Sequence, residues 1–125
     1  MNIVVWVVTG LLAAVFLMAG AMKLAKSKEQ LLKDPQMAWA GDFSPGVIKL
    51  IGVAEVLGAL GLVLPGAFDV ATALVPAAAI GLALVMVGAF ITHLRRRETQ
   101  GAVTTFVLFA LAVFVAVERI GPQAF

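Results

Sequence analysis

The sequence predicts an all-α polytopic membrane protein, an antiparallel four-helix transmembrane bundle with both termini outside. Three observations predict it. Apolar residues make up 62% of the 125 positions and charged ones only 13%, the composition of a membrane-embedded chain and not of a soluble core. The apolar residues fall in four continuous blocks, at 3–24, 47–64, 70–93 and 102–120. At a rise of about 1.5 Å per residue each block reaches about 27 Å or more, against a hydrocarbon core of about 30 Å. The bases gather at alternate connections: Lys23, Lys26, Lys28, Lys33 and Lys49 at the first, Arg95, Arg96 and Arg97 at the third, none in the second at 65–69. The positive-inside rule makes the basic loops 25–49 and 94–101 cytoplasmic, which requires an even number of spans. Residues 1–125 then form a single membrane domain.

The first block has no basic n-region and is too long for the apolar core of a signal peptide, so it reads as a retained span. The connection after it, 25–46, mixes the helix-like run AKSKEQLLK with the turn-prone segments DPQ and GDFSPG. It reads as a cytoplasmic interfacial segment with Met37, Trp39 and Phe43 as anchors, Trp39 at headgroup level. A plain solvated loop is the alternative. Ser44 and Pro45 open the second helix, and Pro65-Gly66 is expected to end it in a short turn.

Small residues crowd the second helix (Gly52, Ala54, Gly58, Ala59, Gly61) and recur in the third (Ala77, Gly81, Gly88), which predicts close packing of these two helices. Asp69 is expected to cap or begin the third helix. Pro76 either bends that helix or sits in its first turn, and the sequence leaves both open. The fourth helix ends with Glu118 and Arg119, expected as an interfacial anchor pair.

Chemistry concentrates in few residues. Glu55 is the only carboxylate placed deep in an apolar block, where a charge costs about 2.5–3.5 kcal/mol on insertion scales, so it must face a helix interface or a wet cavity. It is the first candidate for ligand binding or proton exchange; its structural reading is a protonated acid that locks the bundle through a hydrogen bond. Glu55 lies six residues beyond Lys49, about 9 Å deep, and Lys23 about 4.5 Å inside Lys26, so a lysine stem can bridge them and relieve the buried charge. Thr92 and His93 close the third helix at the same end, and Thr104 and Thr105 open the fourth. His93 reads either as a headgroup contact or as a proton-transfer group at the mouth of a cavity holding Glu55.

The exclusions are as informative. Cysteine is absent, which removes disulfides, thiolate metal sites and dithiol chemistry. One histidine and one buried glutamate are too few for a metal site, and bis-histidine haem is excluded. Met18 and Met22, four residues apart, with Met86, read as core or as the soft wall of a lipophilic pocket. No phosphate loop, catalytic triad or dinucleotide fingerprint appears. The net charge of +2 comes from juxtamembrane bases suited to topology and anionic lipid, not nucleic acid.

The runs FLMAGAMKL in the first helix, FSPGVIKLIGVAEVLGALGLVLP through the second and AFITHLRRRE closing the third resemble the DoxX-like family of small bacterial integral membrane proteins. The resemblance implies a four-helix bundle in the cytoplasmic (inner) membrane. Some DoxX relatives are subunits of a thiosulfate:quinone oxidoreductase and others accompany oxidative-stress systems, which makes quinone or lipid the natural ligand and a redox-enzyme subunit the natural partner.

Three functions follow. The bundle binds a lipophilic molecule, or serves a membrane redox complex as an accessory subunit, with Glu55, Lys23, Thr92 and His93 at the polar end of a pocket and no catalysis of its own. It is a structural or assembly protein, with a homo-oligomer among its states. Or it is a proton-coupled transporter that exchanges at Glu55. Membrane enzymology on a lipid-like substrate, with Glu55 and His93 as acid and base, has no residue pattern that selects a reaction.

Overall fold

A computed structural model describes residues 1–125, the side chain of Gln36 excepted. The apolar blocks fold as four long helices, α1 (Asn2–Ala25), α3 (Pro45–Phe68), α4 (Leu74–Arg95) and α5 (Thr99–Ile120). All four are long and apolar enough to cross a membrane. Between α1 and α3 lie a short helix, α2 (Lys28–Leu32), and a 3-10 segment, Pro35–Asp42, broken at Met37. The short connections make neighbouring helices antiparallel. α1 packs chiefly on α3, α3 on α4 and α4 on α5, and α1 meets α5 to close the ring.

Each long helix buries one stripe at three- and four-residue spacing, as an α-helix packed on one side must. On α1 the stripe is Val5, Thr9, Leu12, Phe16, Gly20 and Lys23; on α3 it is Ile48, Gly52, Glu55, Ala59 and Leu62. Leu12, Phe16, Leu62, Leu82, Met86 and Val115 meet in the core. The opposite faces are apolar as well: Leu11, Met18, Leu57 and Leu84 are each more than 60% exposed, which suits lipid contact. Met18 therefore lies outside the core, while Met86 is in it.

Ser44 caps α3, its hydroxyl accepting from the Val47 amide at 3.2 Å, with Pro45 as the first helical residue. The other end differs from the sequence expectation. α3 continues through Pro65 to Phe68, because only about one turn follows the proline, so the break is limited to a single backbone bond. The Pro65 carbonyl then takes the amides of both Asp69 and Val70. Asp69 is not a cap of the next helix; it ends α3 in the left-handed conformation at φ 53°. Pro76 is the third residue of α4, inside its first turn, where no helix bond is lost.

The small residues also act elsewhere than expected. The closest backbone approach joins α1 and α3: a Cβ at Gly20 would stand 2.7 Å from the Gly52 carbonyl oxygen. On α3 and α4, Gly58 meets Leu82 and Gly61 meets Ala78 as expected, but Gly81 and Gly88 face open space.

The segment after α1 folds back against the bundle end. Ser27 and Gln30 form a capping box that starts α2, and Leu31, Ala40 and Ile48 bury together with Met22, Met37, Trp39 and Phe43 packed around them. Lys28 donates to the Phe43 carbonyl at 2.7 Å, and Arg96 grips Asp42 through two 3.0 Å bonds. At the other end of the bundle, Arg119 of the expected interfacial pair is buried, at 5% exposure, and its hydrogen bonds go to Asn2 and Gln123 instead of Glu118.

Candidate functional site

The crossing of α1 and α3 sets the site. Gly20 and Gly52 have no side chains, so the two backbones touch there. Lys23 lies one turn further along α1 and Glu55 one turn further along α3. The helices are antiparallel, so these turns lead in opposite directions and separate the two residues by about 9 Å along the axis. Every Cα–Cβ bond tilts towards its own helix N-terminus, so the two side chains lean towards each other. They meet as an ion pair with Lys23 Nζ 2.7 Å from Glu55 Oε1, and both residues are buried, at 7% and 3% exposure.

Lys49 fixes the lysine end. Its ammonium donates to the carbonyls of Lys23, Leu24 and Lys26, each at 2.8 Å, and so satisfies the orphan acceptors at the end of α1. Trp39 lies over Lys23, with Nζ 5.5 Å from the ring centroid, a cation–π contact. The tryptophan thus turns inward from the 3-10 segment.

Beside the pair is a cavity of about 520 Å³, lined by α1, α3, α4, α5 and the 3-10 segment. Its wall is mainly apolar, with Phe16, Ile51, Val85, Met86 and Leu108 among the lining residues; Lys23, Glu55, Thr92, His93 and Thr105 supply the polar side chains. Val15 and Leu84 line it while being 45% and 67% exposed on the outside of the bundle, so the cavity reaches the helix flank. The ammonium at 2.7 Å engages Oε1 in the ion pair, and since an ionised carboxylate carries about four lone-pair sites, one close ammonium leaves acceptor capacity on Glu55. A buried carboxylate with acceptor capacity to spare therefore borders the cavity.

The sequence candidates divide. Lys23, Glu55, Thr92 and His93 all border this one cavity. The Thr92 hydroxyl is already used, donating to the Gly88 carbonyl at 2.9 Å, and Thr105 likewise donates within its own helix. Thr104 is exposed, outside the lining. His93 pairs through Nδ1 with Glu98 Oε1 at 2.8 Å; an ionised carboxylate only accepts, so that bond holds the ring proton on Nδ1. Gly101 makes room for the ring, since a Cβ there would stand 2.5 Å from Nδ1.

Glu98, Arg96, Asp42 and Trp39 were not site candidates in the sequence. Glu98, Arg96 and Asp42 form a chain from the histidine to the segment that covers the cavity: Glu98 also accepts from Arg96 Nε at 3.3 Å, and Arg96 holds Asp42. Burial alone would raise the Glu98 pKa, but the hydrogen bonds from His93 and Arg96 outweigh it and hold the carboxyl below its ordinary value. A depressed folded-state pKa gives stability that is complete above the ordinary value, roughly pH 4.3, and is lost as the pH falls through the folded value. Thermal unfolding should therefore rank wild type above Glu98→Gln at pH 7, with the gap closing below about pH 4. A gap that stays constant with pH would mean the carboxylate contributes no such linkage.

No curated protein and no solved structure matches the chain. The family model described as the DoxX-like family matches residues 7–115, from the first turns of α1 to near the end of α5 and across every residue of the cavity, and the chain belongs to that family.

Proposed function

We propose that this small membrane protein binds a lipophilic molecule with a polar, hydrogen-bonding head, a quinone-like compound being the chemical type, and that it works as an accessory subunit of a membrane redox system rather than as a catalyst. The observation that carries the reading is the buried Lys23–Glu55 ion pair at the wall of a cavity of about 520 Å³. Small-molecule sites are mostly apolar, of about 300–1,000 Å³, with a few convergent polar groups. Lys23 can donate to a carbonyl and Glu55 can accept from a hydroxyl, so the pair suits a head that presents either. The cavity reaches the helix flank between lipid-facing residues, which suits entry from the bilayer. The basic loops 25–49 and 94–101 are taken as cytoplasmic in a bacterial inner membrane, so the polar head sits towards the cytoplasmic side.

Trp39 supplies the reporter, because it lines the cavity and quinones quench indole fluorescence. Titrating a short-tailed quinone into the purified protein should quench Trp39 saturably, and Trp39→Phe should remove that component while the signal of Trp6 remains. Glu55→Gln keeps the shape and exchanges a charged acceptor for an amide; losing one charge-assisted bond of about 1.5–3 kcal/mol should weaken binding about 10- to 100-fold. Native mass spectrometry of wild type and Glu55→Gln reads the same difference as retained small molecules. Equal affinity in the two proteins would sink the reading and leave Glu55 as a packing residue.

A further inference from the structure

The end of the bundle away from the basic loops holds a second set of buried charges that the cavity does not use. Arg119 is in the last turn of α5 and 5% exposed. Its guanidinium lies 5.2 Å from the Trp6 ring and 4.1 Å from the Phe125 ring. Nη1 donates to Asn2 Oδ1 and to the Gln123 carbonyl, both at 2.8 Å. Nε and Nη2 are buried and donate to nothing among the described residues. Those two nitrogens form the side edge of the fork, the edge that grips an oxyanion with two parallel bonds. On the preceding residue, Glu118 Oε2 is also buried with no hydrogen-bond partner.

We propose that this end of the bundle binds the headgroup of a zwitterionic aminophospholipid, its phosphate on the Nε–Nη2 edge of Arg119 and its primary ammonium on the Glu118 carboxylate. Each stranded polar atom costs about 1–3 kcal/mol, and more when charged, so three on consecutive residues are a strong demand for an outside partner. The depth is right: Arg119 lies where α5 ends and α1 begins, with Trp6 beside it, and helix ends with interfacial tryptophan mark the headgroup layer. The charge pattern is specific. A purely anionic headgroup would satisfy Arg119 and be repelled by Glu118; a quaternary ammonium has no N–H to give the carboxylate. A primary amine on a phosphodiester answers both. Phe125 covers the guanidinium, resting on Gly66, where a Cβ would stand 2.5 Å from its ring, and it is 46% exposed.

The test uses the full chain in a mild non-ionic detergent, titrated with phosphatidylethanolamine or phosphatidylcholine of identical acyl chains and read by native mass spectrometry. These lipids share phosphate and net charge and differ in the N–H donors. Wild type should retain the ethanolamine lipid about tenfold more strongly, the equivalent of about 1.4 kcal/mol for one charge-assisted bond. Glu118→Gln, nearly isosteric, should lose that preference while still binding both lipids. Arg119→Lys should weaken both, because a point charge cannot take the two-bond grip. Equal retention of the two lipids by wild type, or an undiminished preference in Glu118→Gln, would overturn the proposal; in the first case water is the partner of these groups.

Discussion

Replacing Lys23 with methionine should destabilise the protein by about 3–5 kcal/mol, the usual result of removing one partner from a buried ion pair. The ammonium is 2.7 Å from Glu55, and both side chains are less than a tenth exposed, so removing one leaves the other charge buried and unpaired. The informative comparison is the double variant Lys23→Met/Glu55→Leu. Buried pairs exchanged for apolar residues of similar volume are often neutral or stabilising, because the desolvation of both charges is no longer incurred. Thermal unfolding in detergent should show Lys23→Met well below wild type and the double variant level with it or above. The double variant should retain no quinone. A bundle that is stable without the pair but empty would mean that the charges serve the ligand; a double variant as unstable as the single one would mean that they serve the fold.

That contrast also explains why the centre of the site was legible in the sequence. Glu55 stands out because a carboxylate inside an apolar run has to be compensated, whereas depth makes Lys23 only a geometrically possible partner, because contact depends on the register of two helices that the sequence does not set. Lys49 was legible as a boundary marker, but its grip on three carbonyls of α1 needs the two helices side by side. Glu98 and Asp42 gave no signal, because a charge in a solvated loop is the ordinary case, and only the fold brings the loops 54 residues apart in sequence into one ion-pair chain. Arg119 misled for the opposite reason. An arginine near a helix end reads as an interfacial anchor, and its burial depends on Trp6 and Phe125 packing against it.

Pro65 shows a second limit. Proline followed by glycine is a strong stop signal in water, where the freed carbonyl is cheaply hydrated. Here the chain continues one more turn past the proline, and the Pro65 carbonyl takes the amides of Asp69 and Val70. Asp69, assigned to the next helix from sequence, then falls at the end of this one.

The glycines give the other large effect, and it tests the geometry beneath the site. Gly20 and Gly81 are both helical, both in long apolar spans, and indistinguishable to propensity. A Cβ at Gly20 would stand 2.7 Å from the Gly52 carbonyl oxygen and 2.7 Å from Val56 Cγ2; at Gly81 it would meet nothing within 4 Å. One substitution should therefore act with opposite signs. Gly81→Ala should stabilise by about 0.5–1 kcal/mol, the helix preference of alanine over glycine. Gly20→Ala should destabilise by an amount near the top of the usual 1–3 kcal/mol for overpacking, since the obstacle is partly backbone and a rotamer change cannot remove it. The methyl group forces α1 away from α3 at the crossing from which Lys23 and Glu55 lean together, so quinone affinity should fall with stability in Gly20→Ala and hold in Gly81→Ala. Thermal unfolding and Trp39 quenching on the same samples measure both. If the two alanines behave alike, the backbones of α1 and α3 do not touch at Gly20, and the convergence of Lys23 on Glu55 loses its physical basis.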